Sequence, residues 1–494
     1  MQLVESVVAA SAILIASASA QTPGCTLTAP PFEGMSGVIP NAHAKNFQLS
    51  VTGPYTATLT ILGSQKLDLI ACNAPSATSS ASNAVTIPVS SISVNQNAVT
   101  GFIERLGKIS AISSAQKQFA TSECAQTIPA NASAPATVTF GSGAVDVTAA
   151  VMSEASPLAM AEWILFFDTL FAMQSNGKTV YSGIVSQYQC LANKIAAYRQ
   201  NTTAKYGSDP IVLITAVDLS SNTFVAPVNQ PYWTAILSDA GGVPLVAQDT
   251  ATFLTMAHNA DVVFDTTVEK STDFNIQLWN KITGLNPKTP GYPFLNGFSS
   301  EIWRFDRRVG NGADDFYQSA PAQPDLLLAD LIEIFDSAFH TGFASYWLRN
   351  LANTAGYSTI SASQCPSRSA FTQYQNGTLC PTNAYIPDVG RLNNPGNLLT
   401  PPTVNNGSDA ATNVSTGTAV GGIVGGIVGG VLVGLLCVFG AVWAIGRKRA
   451  RAGVDEAGRG AFAWVKDAAA NRRFMRFEDG ESVRMDDAAE AGSA

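Results

Sequence analysis

The stretch SPLAMAEWILFFDTLFAMQSNGKTVYSGIVSQYQCLANKIAAYR, residues 156–199, decides the fold of this chain. Ser156 followed by Pro157 is a strong helix start, because serine accepts from unpaired backbone N–H groups and proline loses nothing at the first helical position. Apolar residues then recur at helical spacing, Gly177 interrupts, and a second amphipathic helix covers residues 178–199. At 1.5 Å per residue this helix is about 33 Å long. Strand-like sequence flanks it, so it is predicted to be a spine that joins two lobes.

Each flanking region mixes strand and helix patterns, which predicts the α/β class for both lobes. Before the spine, strands are expected at residues 47–51, 55–62, 67–72, 85–89 and 136–140, with a helix at residues 101–106. After the spine, strands are expected at residues 210–217, 261–264 and 302–305, and helices at residues 235–240, 251–259 and 324–335.

The two ends of the chain predict a single-pass membrane protein. An apolar run followed by Ala18-Ser19-Ala20 has the form of a cleaved secretory signal. Near the other end, residues 419–445 carry no charge and are long enough to span a bilayer, and the basic residues 447–449 then mark the cytoplasmic side. The N-terminal portion is therefore expected outside the cell or in the lumen, at the plasma membrane or another secretory-pathway membrane. Glycines spaced by four in the span indicate either self-association or a relaxed anchor.

These patterns divide the chain into successive segments. They are a signal peptide (1–20), an N-terminal α/β lobe (21–152), the connecting and spine helices (153–200), a C-terminal α/β lobe (201–352), a cysteine-containing region with a glycosylated stalk (353–418), a transmembrane helix (419–446) and a cytoplasmic tail (447–494).

Cysteines and glycosylation sequons agree with secretion. The cysteines outside the span are even in number, which favours disulfides in an oxidising compartment; they are Cys25, Cys72, Cys124, Cys190, Cys365 and Cys380. A bond between Cys365 and Cys380 is the first expectation, because a short loop closes easily. The sequons begin at Asn131, Asn201, Asn376, Asn406 and Asn413.

Composition and motifs exclude several function classes. The 28 Lys and Arg residues against 36 Asp and Glu residues give a net charge of −8, which argues against a nucleic-acid binder. The histidines His43, His258 and His340 make no metal-binding spacing, so no metal site or cofactor is predicted. No nucleophile-and-base pattern of an enzyme is present, and the adjacent acids Asp314 and Asp315 are expected in a solvated loop. No catalytic residue is assigned, and a surface hydrolase is disfavoured.

One cluster indicates a ligand. The sequence Trp303-Arg304-Phe305-Asp306-Arg307-Arg308 interleaves arginines with aromatic rings inside an acidic region, and Tyr317 follows shortly after. Arginine beside aromatic rings suits an anionic, planar or chelated ligand, through bidentate hydrogen bonds and stacking. The alternative is a structural Arg–Asp network at a sheet edge.

The chain also resembles the helical-backbone (class III, TroA-like) substrate-binding proteins, which deliver iron-siderophores, haem, cobalamin or metals to bacterial importers. The resemblance covers most of residues 25–351. Its motifs occur in order at residues 101–107, 154–158, 180–188, 232–233, 239–242, 260–265, 305–308 and 321–330. It implies two lobes held by the spine, with ligand in the cleft between them. The cleft side of the second lobe would then carry Tyr232, Trp233, Trp303, Arg304, Arg307, Arg308 and Tyr317.

The chain departs from this family in three ways: the histidine ligands of the metal-binding branch have no counterpart, and the predicted membrane anchor and disulfides are unusual for the family. A small anionic or metal-chelate ligand is therefore expected rather than a bare ion. The function predicted is a cell-surface solute-binding protein and not an enzyme. The alternative is an adhesion or interaction glycoprotein that uses the bilobal fold as a scaffold.

Overall fold

The structure of the chain is a computed structural model. It describes residues 25–61, 65–75, 83–131, 135–141, 145–201, 209–268, 274–286, 288–295, 300–339, 343–352, 356–365 and 379–380. The predicted signal peptide, transmembrane helix and tail, most of the stalk, and the sequons at Asn376, Asn406 and Asn413 lie outside these residues. Within them, no helix is both long enough and apolar enough to cross a membrane.

The described residues of the first lobe form two sheets. The larger is built in chain order from β1 (Gly37–Ile39), β2 (Phe47–Gly53), β3 (Thr56–Ile61), β4 (Gln65–Ala71) and β5 (Ala84–Ile87). Its pairs are antiparallel except β4 with β5. Alternate residues of β3 are buried, because successive side chains of a strand point to opposite faces.

The smaller sheet of this lobe is parallel and has the order β7-β6-β8. Its strands are β6 (Ile92–Val94), β7 (Ile112–Ala115) and β8 (Val138–Phe140). The helices of the lobe are α1 (Val99–Arg105), α2 (Thr148–Met152), α3 (Pro157–Ala161) and α4 (Trp163–Leu170). Because the strands of this sheet are parallel, their carboxyl ends share one edge, and that edge positions the candidate site.

The predicted spine is the helix α5 (Gln174–Asn201). The Ser156 hydroxyl accepts from the Ala159 N–H and so caps α3, as the sequence indicated. The predicted break at Gly177 is wrong, because the helix runs through it. A Cβ at Gly177 would lie 2.5 Å from the Asp168 side chain, so glycine here permits a close approach between α5 and α4.

The second lobe is built on a six-stranded sheet. Its main path is β10-β9-β12-β13-β16, and β11 pairs with β9 off this path. The strands are β9 (Ile211–Asp218), β10 (Thr223–Val225), β11 (Val243–Val246), β12 (Val262–Asp265), β13 (Ile302–Arg304) and β16 (Arg349–Asn350). Strands β9, β11, β12 and β13 run parallel. The expected α/β class is therefore confirmed.

The remaining elements of the second lobe are helices and a small sheet. The helices are α6 (Gln230–Asp239), α7 (Thr250–Ala257), α8 (Ile276–Thr283), α9 (Phe316–Ser319) and α10 (Pro324–Phe335). The small sheet is built from β14 (Arg308–Gly310), β15 (Ala313–Asp314) and β17 (Ser358–Thr359), in the order β15-β14-β17.

One hydrophobic core continues through both lobes around the spine. Ile184, Leu191 and Ile195 of α5 are fully buried and belong to the same cluster as Phe102 of the first lobe and Leu327 of the second. Full burial of such side chains contributes about 1.5–3 kcal/mol each. A separate cluster of buried residues in the second lobe includes Phe253 and Trp279.

All the cysteines predicted to form disulfides do so, in the pairs Cys25–Cys72, Cys124–Cys365 and Cys190–Cys380. The expected bond between Cys365 and Cys380 is therefore wrong. A short loop lowers the entropy cost of closing a loop in the unfolded chain, but it does not decide which cysteines are neighbours in the folded protein. The fold places the Cα of Cys365 only 4.8 Å from that of Cys124, within the range of a disulfide.

Candidate functional site

Two strands of the first lobe end against a residue of the second lobe. Asn97 and Ala98 follow β6, and Gln118 follows β7. The Gln318 side chain on α9 donates to the Asn97 Oδ1 and, at 3.4 Å, to the Gln118 carbonyl. Its Oε1 accepts from the Ala98 N–H at 3.2 Å. One amide side chain therefore joins both strand ends to the opposite lobe.

A strand of the second lobe ends at the same place. Thr266 directly follows β12, and its carbonyl accepts from the Tyr317 hydroxyl at 3.3 Å. The carboxyl ends of β6, β7 and β12 thus meet at the neighbouring residues 317–318. We call Asn97, Gln118, Thr266, Tyr317 and Gln318 the strand-end junction. In open α/β sheets, ligands bind in the crevice outside the carboxyl ends of the strands.

The strand-end junction is packed at its centre and exposed at its rim. Gln318 is buried, Asn97, Thr266 and Tyr317 are half-buried, and Gln118 is exposed together with Lys117. Burial raises the pKa of the Tyr317 hydroxyl, which keeps this side chain a neutral donor. The rim therefore offers amide groups, a hydroxyl and a lysine cation.

The lobes touch directly beside this junction. Gly101 of α1 lies against the backbone of α9, and a Cβ at Gly101 would overlap the Gln318 carbonyl oxygen. Only glycine permits two backbones to approach so closely.

The structure places Arg304 in an internal network. Its side chain is buried and forms ion pairs with Asp265 at 3.3 Å and Asp306 at 2.7 Å. It also donates to the Thr267 carbonyl at 3.0 Å and lies 4.0 Å above the Phe274 ring. This arrangement matches the structural alternative considered for the arginine cluster, and Arg304 is not available to a ligand.

Arg308 and Arg307 differ in their partners. Arg308 donates to Glu123 of the first lobe at 2.6 Å and lies 4.0 Å above the Tyr346 ring. Arg307 is half-buried, and in the described part of the chain its guanidinium has no hydrogen-bond or ion-pair partner. Its backbone N–H donates to the Trp347 carbonyl at 2.9 Å. The charge of Arg307 acts on the buried Asp330 carboxyl, where it opposes the rise of that pKa, so Arg307 is the arginine of the cluster without a direct partner among the described residues.

The predicted aromatic residues lie mostly in the core. Tyr232 and Trp233 on α6 are buried, and Trp233 packs against Phe305 with the ring centroids 4.7 Å apart. Trp303 is half-buried and donates to Glu301 at 2.8 Å. Of the predicted ligand residues, the strand-end junction contains Tyr317, and sequence reasoning missed Asn97, Gln118, Thr266 and Gln318. The signal that points to the first two is the amide residues that directly follow the strands, Asn95-Gln96-Asn97 after β6 and Gln116-Lys117-Gln118 after β7.

No three His, Cys, Asp or Glu side chains of the described residues are grouped so that they could hold a metal ion. His43 Nδ1 lies 2.6 Å from the Tyr181 hydroxyl, and His258 Nδ1 lies 2.8 Å from the Gly291 carbonyl. His340 lies outside the described residues.

An open groove of about 730 Å³ follows the outer face of α6. Its lining residues are Pro227, Asn229, Gln230, Pro231, Thr234, Ala235 and Ser238. None of them is charged, so this groove does not suit an anion.

No family model and no curated protein sequence matches this chain. Solved structures of periplasmic binding proteins are similar to it. A haem-binding protein from Pseudomonas aeruginosa has 10% identity and a TM-score of 0.38, with 55% of this chain and 99% of that chain covered. The haem-binding protein RhuT from Roseiflexus sp. RS-1 has 15% identity, a TM-score of 0.34 and coverage of 50% and 98%. The vitamin B12 binding protein BtuF of Vibrio cholerae has 12% identity, a TM-score of 0.31 and coverage of 50% and 97%. At these TM-scores the likeness carries no argument about the ligand of this chain.

Proposed function

We propose that this chain is a non-enzymatic binding protein that holds a small ligand at the strand-end junction between its lobes. One observation carries the proposal: the carboxyl ends of β6 and β7 in the first lobe and of β12 in the second meet at Tyr317 and Gln318. Such strand ends are the preferred ligand sites of α/β sheets, because loops there present side chains and free backbone groups on a rigid frame.

The ligand proposed is a small anion or metal chelate of the siderophore, haem or cobalamin kind. Arg307 follows β13, which pairs in parallel with β12, so it lies at the same edge of the sheet as Thr266. Its guanidinium and the exposed Lys117 supply positive charge, while the amides of Asn97 and Gln118 supply hydrogen bonds. Guanidinium groups bind carboxylates bidentately, and carboxylates are common on chelating ligands.

The location proposed is the outer face of a secretory-pathway or plasma membrane, with the lobes held by an anchor at residues 419–446. Support comes from the three disulfides, which persist in oxidising compartments. The sequon asparagine Asn131 is exposed, as a glycan requires. Self-association through the glycines of the anchor remains part of this proposal.

A second function, an adhesion or interaction scaffold, is favoured by a different observation. The lobes are fastened to each other by the Arg308–Glu123 ion pair and the Cys124–Cys365 disulfide. Arg304 and Arg308, which the sequence assigned to a ligand, thus serve the protein's own structure. A chain that has lost its ligand would retain such contacts.

A thermal-shift screen of the full-length protein in mild detergent separates these functions. The probes are haem, a ferric hydroxamate, cobalamin and divalent metal salts. A probe present at one hundred times its dissociation constant stabilises the folded state by about 2.7 kcal/mol, which raises the melting temperature. A rise with one chelate supports the binding function. An unchanged melting temperature with every probe contradicts it and favours the scaffold.

A further inference from the structure

Three segments meet where the lobes join beside the candidate site. They are residues 120–126 of the first lobe, residues 308–311 of the second lobe, and residues 358–365, which follow the second lobe in the chain. We call these three segments the seam.

The first two segments of the seam are bonded directly. The Asn311 side chain donates to the Ala120 carbonyl at 2.7 Å, and Arg308 donates to Glu123 at 2.6 Å. Gly310 lies so close to Thr121 that a Cβ there would overlap the Thr121 carbonyl oxygen. These contacts leave no room for a ligand or for water between the two backbones at Gly310.

The third segment is bonded to both lobes. Its strand β17 pairs with β14 of the second lobe, and the Ile360 N–H donates to the Val309 carbonyl at 2.8 Å. On its other side, the Ile360 carbonyl accepts from the Gln126 side chain at 3.1 Å. The bond between Cys365 and Cys124 then attaches this segment covalently to the first lobe.

A buried carboxylate reinforces the seam. Asp315 accepts from the Thr121 hydroxyl of the first lobe at 2.9 Å and from Ser319 and Trp347 of the second lobe at 2.9 and 3.1 Å. Asp315 is fully buried, so each of these bonds is protected from water. The expectation of a solvated loop at this position is wrong, because the opposite lobe covers it.

We propose that the seam is a covalent lock that holds the two lobes at one fixed separation. The two lobes pack around the spine through a shared core, and an attachment away from the spine restrains the rotation of one lobe against the other. The seam is such an attachment, and the Cys124–Cys365 bond makes it permanent while the disulfide stays intact. The strand-end junction is then preformed and does not depend on lobe closure. This inference goes beyond the proposed function and does not rest on it.

The test measures the distance between the lobes in the full-length protein by pulsed electron paramagnetic resonance. Spin labels are attached through non-canonical residues at the exposed positions Lys66 in the first lobe and Thr255 in the second, which leaves the cysteines untouched. The lock predicts one narrow distance distribution for the protein with all disulfides intact. Two populations, or one broad distribution, would overturn the proposal without any disulfide variant.

A pair of matched variants completes this test. Cys124→Ser with Cys365→Ser removes the disulfide of the seam, and Cys25→Ser with Cys72→Ser removes one that lies within the first lobe. The distribution is expected to broaden at least twofold in the first double variant and to stay narrow in the second. An equally narrow distribution in both folded variants would show that the seam disulfide does not lock the lobes.

Discussion

Glu123 of the first lobe accepts a hydrogen bond from the Arg308 Nη2 of the second lobe at 2.6 Å, and both side chains are about 15% exposed. The pair spans 185 residues of sequence. Because both charges are largely removed from water, Glu123 depends on Arg308 for compensation, whereas Arg308 also forms an ion pair with Asp315 at 3.6 Å.

Replacing Arg308 with methionine is expected to lower the free energy of unfolding by about 3 kcal/mol, because Glu123 is left as an uncompensated buried charge. The measurement is denaturant unfolding of the purified protein with its disulfides intact. Lys66→Met is the matched control, because Lys66 is also a cation but lies at an exposed position. The control should change the unfolding free energy by less than about 1 kcal/mol. Equal effects of the two variants would contradict the account of the seam.

Gly101→Ala is expected to destabilise the protein by about 1–3 kcal/mol, because the added methyl group overlaps the backbone of α9. Gly183→Ala is the matched change within the spine. Gly183 is exposed in the middle of α5, and no atom lies within 4 Å of its added Cβ. Alanine there should stabilise the helix by about 0.5–1 kcal/mol. The signs of the two melting-temperature shifts are the check, and a stabilising Gly101→Ala would refute the close contact of the lobes.

Glu104 makes stability depend on pH. Burial raises the pKa of this carboxyl from 4.5 to about 8, against the lowering effect of the Ser122 hydrogen bond. Between these two pH values the folded protein holds a proton that the unfolded chain has released. The free energy of unfolding should therefore fall as pH rises from 5 to 8, by up to about 1.4 kcal/mol per pH unit from this group. Asp168 and Asp330, whose pKa values burial raises to about 7, act in the same direction.

Glu104→Gln tests this dependence, because the neutral amide can still accept from Ser122 and does not ionise. The measurement is the unfolding free energy of the variant and the wild type at intervals from pH 5 to pH 8. The variant should show a shallower decline than the wild type. Parallel curves would mean that Glu104 does not titrate in this range.

Glu162 holds the start of the first lobe through backbone hydrogen bonds. Its carboxylate accepts from the N–H groups of Ala42, His43 and Ala44, each at 2.7 Å. Glu162→Gln replaces one acceptor oxygen with a donor and removes the charge, so a loss of about 3 kcal/mol or more is expected. Glu33→Gln at an exposed position is the control, with an expected change within about 0.5 kcal/mol. Unfolding in denaturant measures both, and a similarly small loss for Glu162→Gln would refute the role of this carboxylate.

Local sequence predicted the secondary structure well where the pattern was strong. The helix α10 begins at Pro324 and ends at Phe335 as expected, because a proline start and a helical apolar period agree there. The spine was also predicted, although its start was placed after Gly177. Glycine carries a conformational cost in a helix, but the neighbouring Asp168 leaves no room for a larger residue.

Local sequence patterns could not predict contacts between distant parts of the chain. The pairing of Cys124 with Cys365, and the burial of Asp315 beneath the opposite lobe, depend on how the lobes meet. The partners of Arg304 and Arg308 could not be predicted either. An arginine beside aromatic rings can bind an anionic ligand or a carboxylate of the protein itself, and here both arginines bind carboxylates of the protein. Gln318 has no signal in its own segment, because its partners lie about 200 residues away.

The most direct test of ligand binding at the strand-end junction is a comparison of affinities. The full-length protein and two variants are titrated with the chelate that raises the melting temperature most. Arg307→Ala removes the arginine of the cluster without a direct partner among the described residues, and Lys66→Ala removes an exposed cation of the first lobe. Isothermal titration calorimetry should show a dissociation constant at least tenfold higher for Arg307→Ala and unchanged for Lys66→Ala. Equal affinities in all three proteins would contradict binding at this junction.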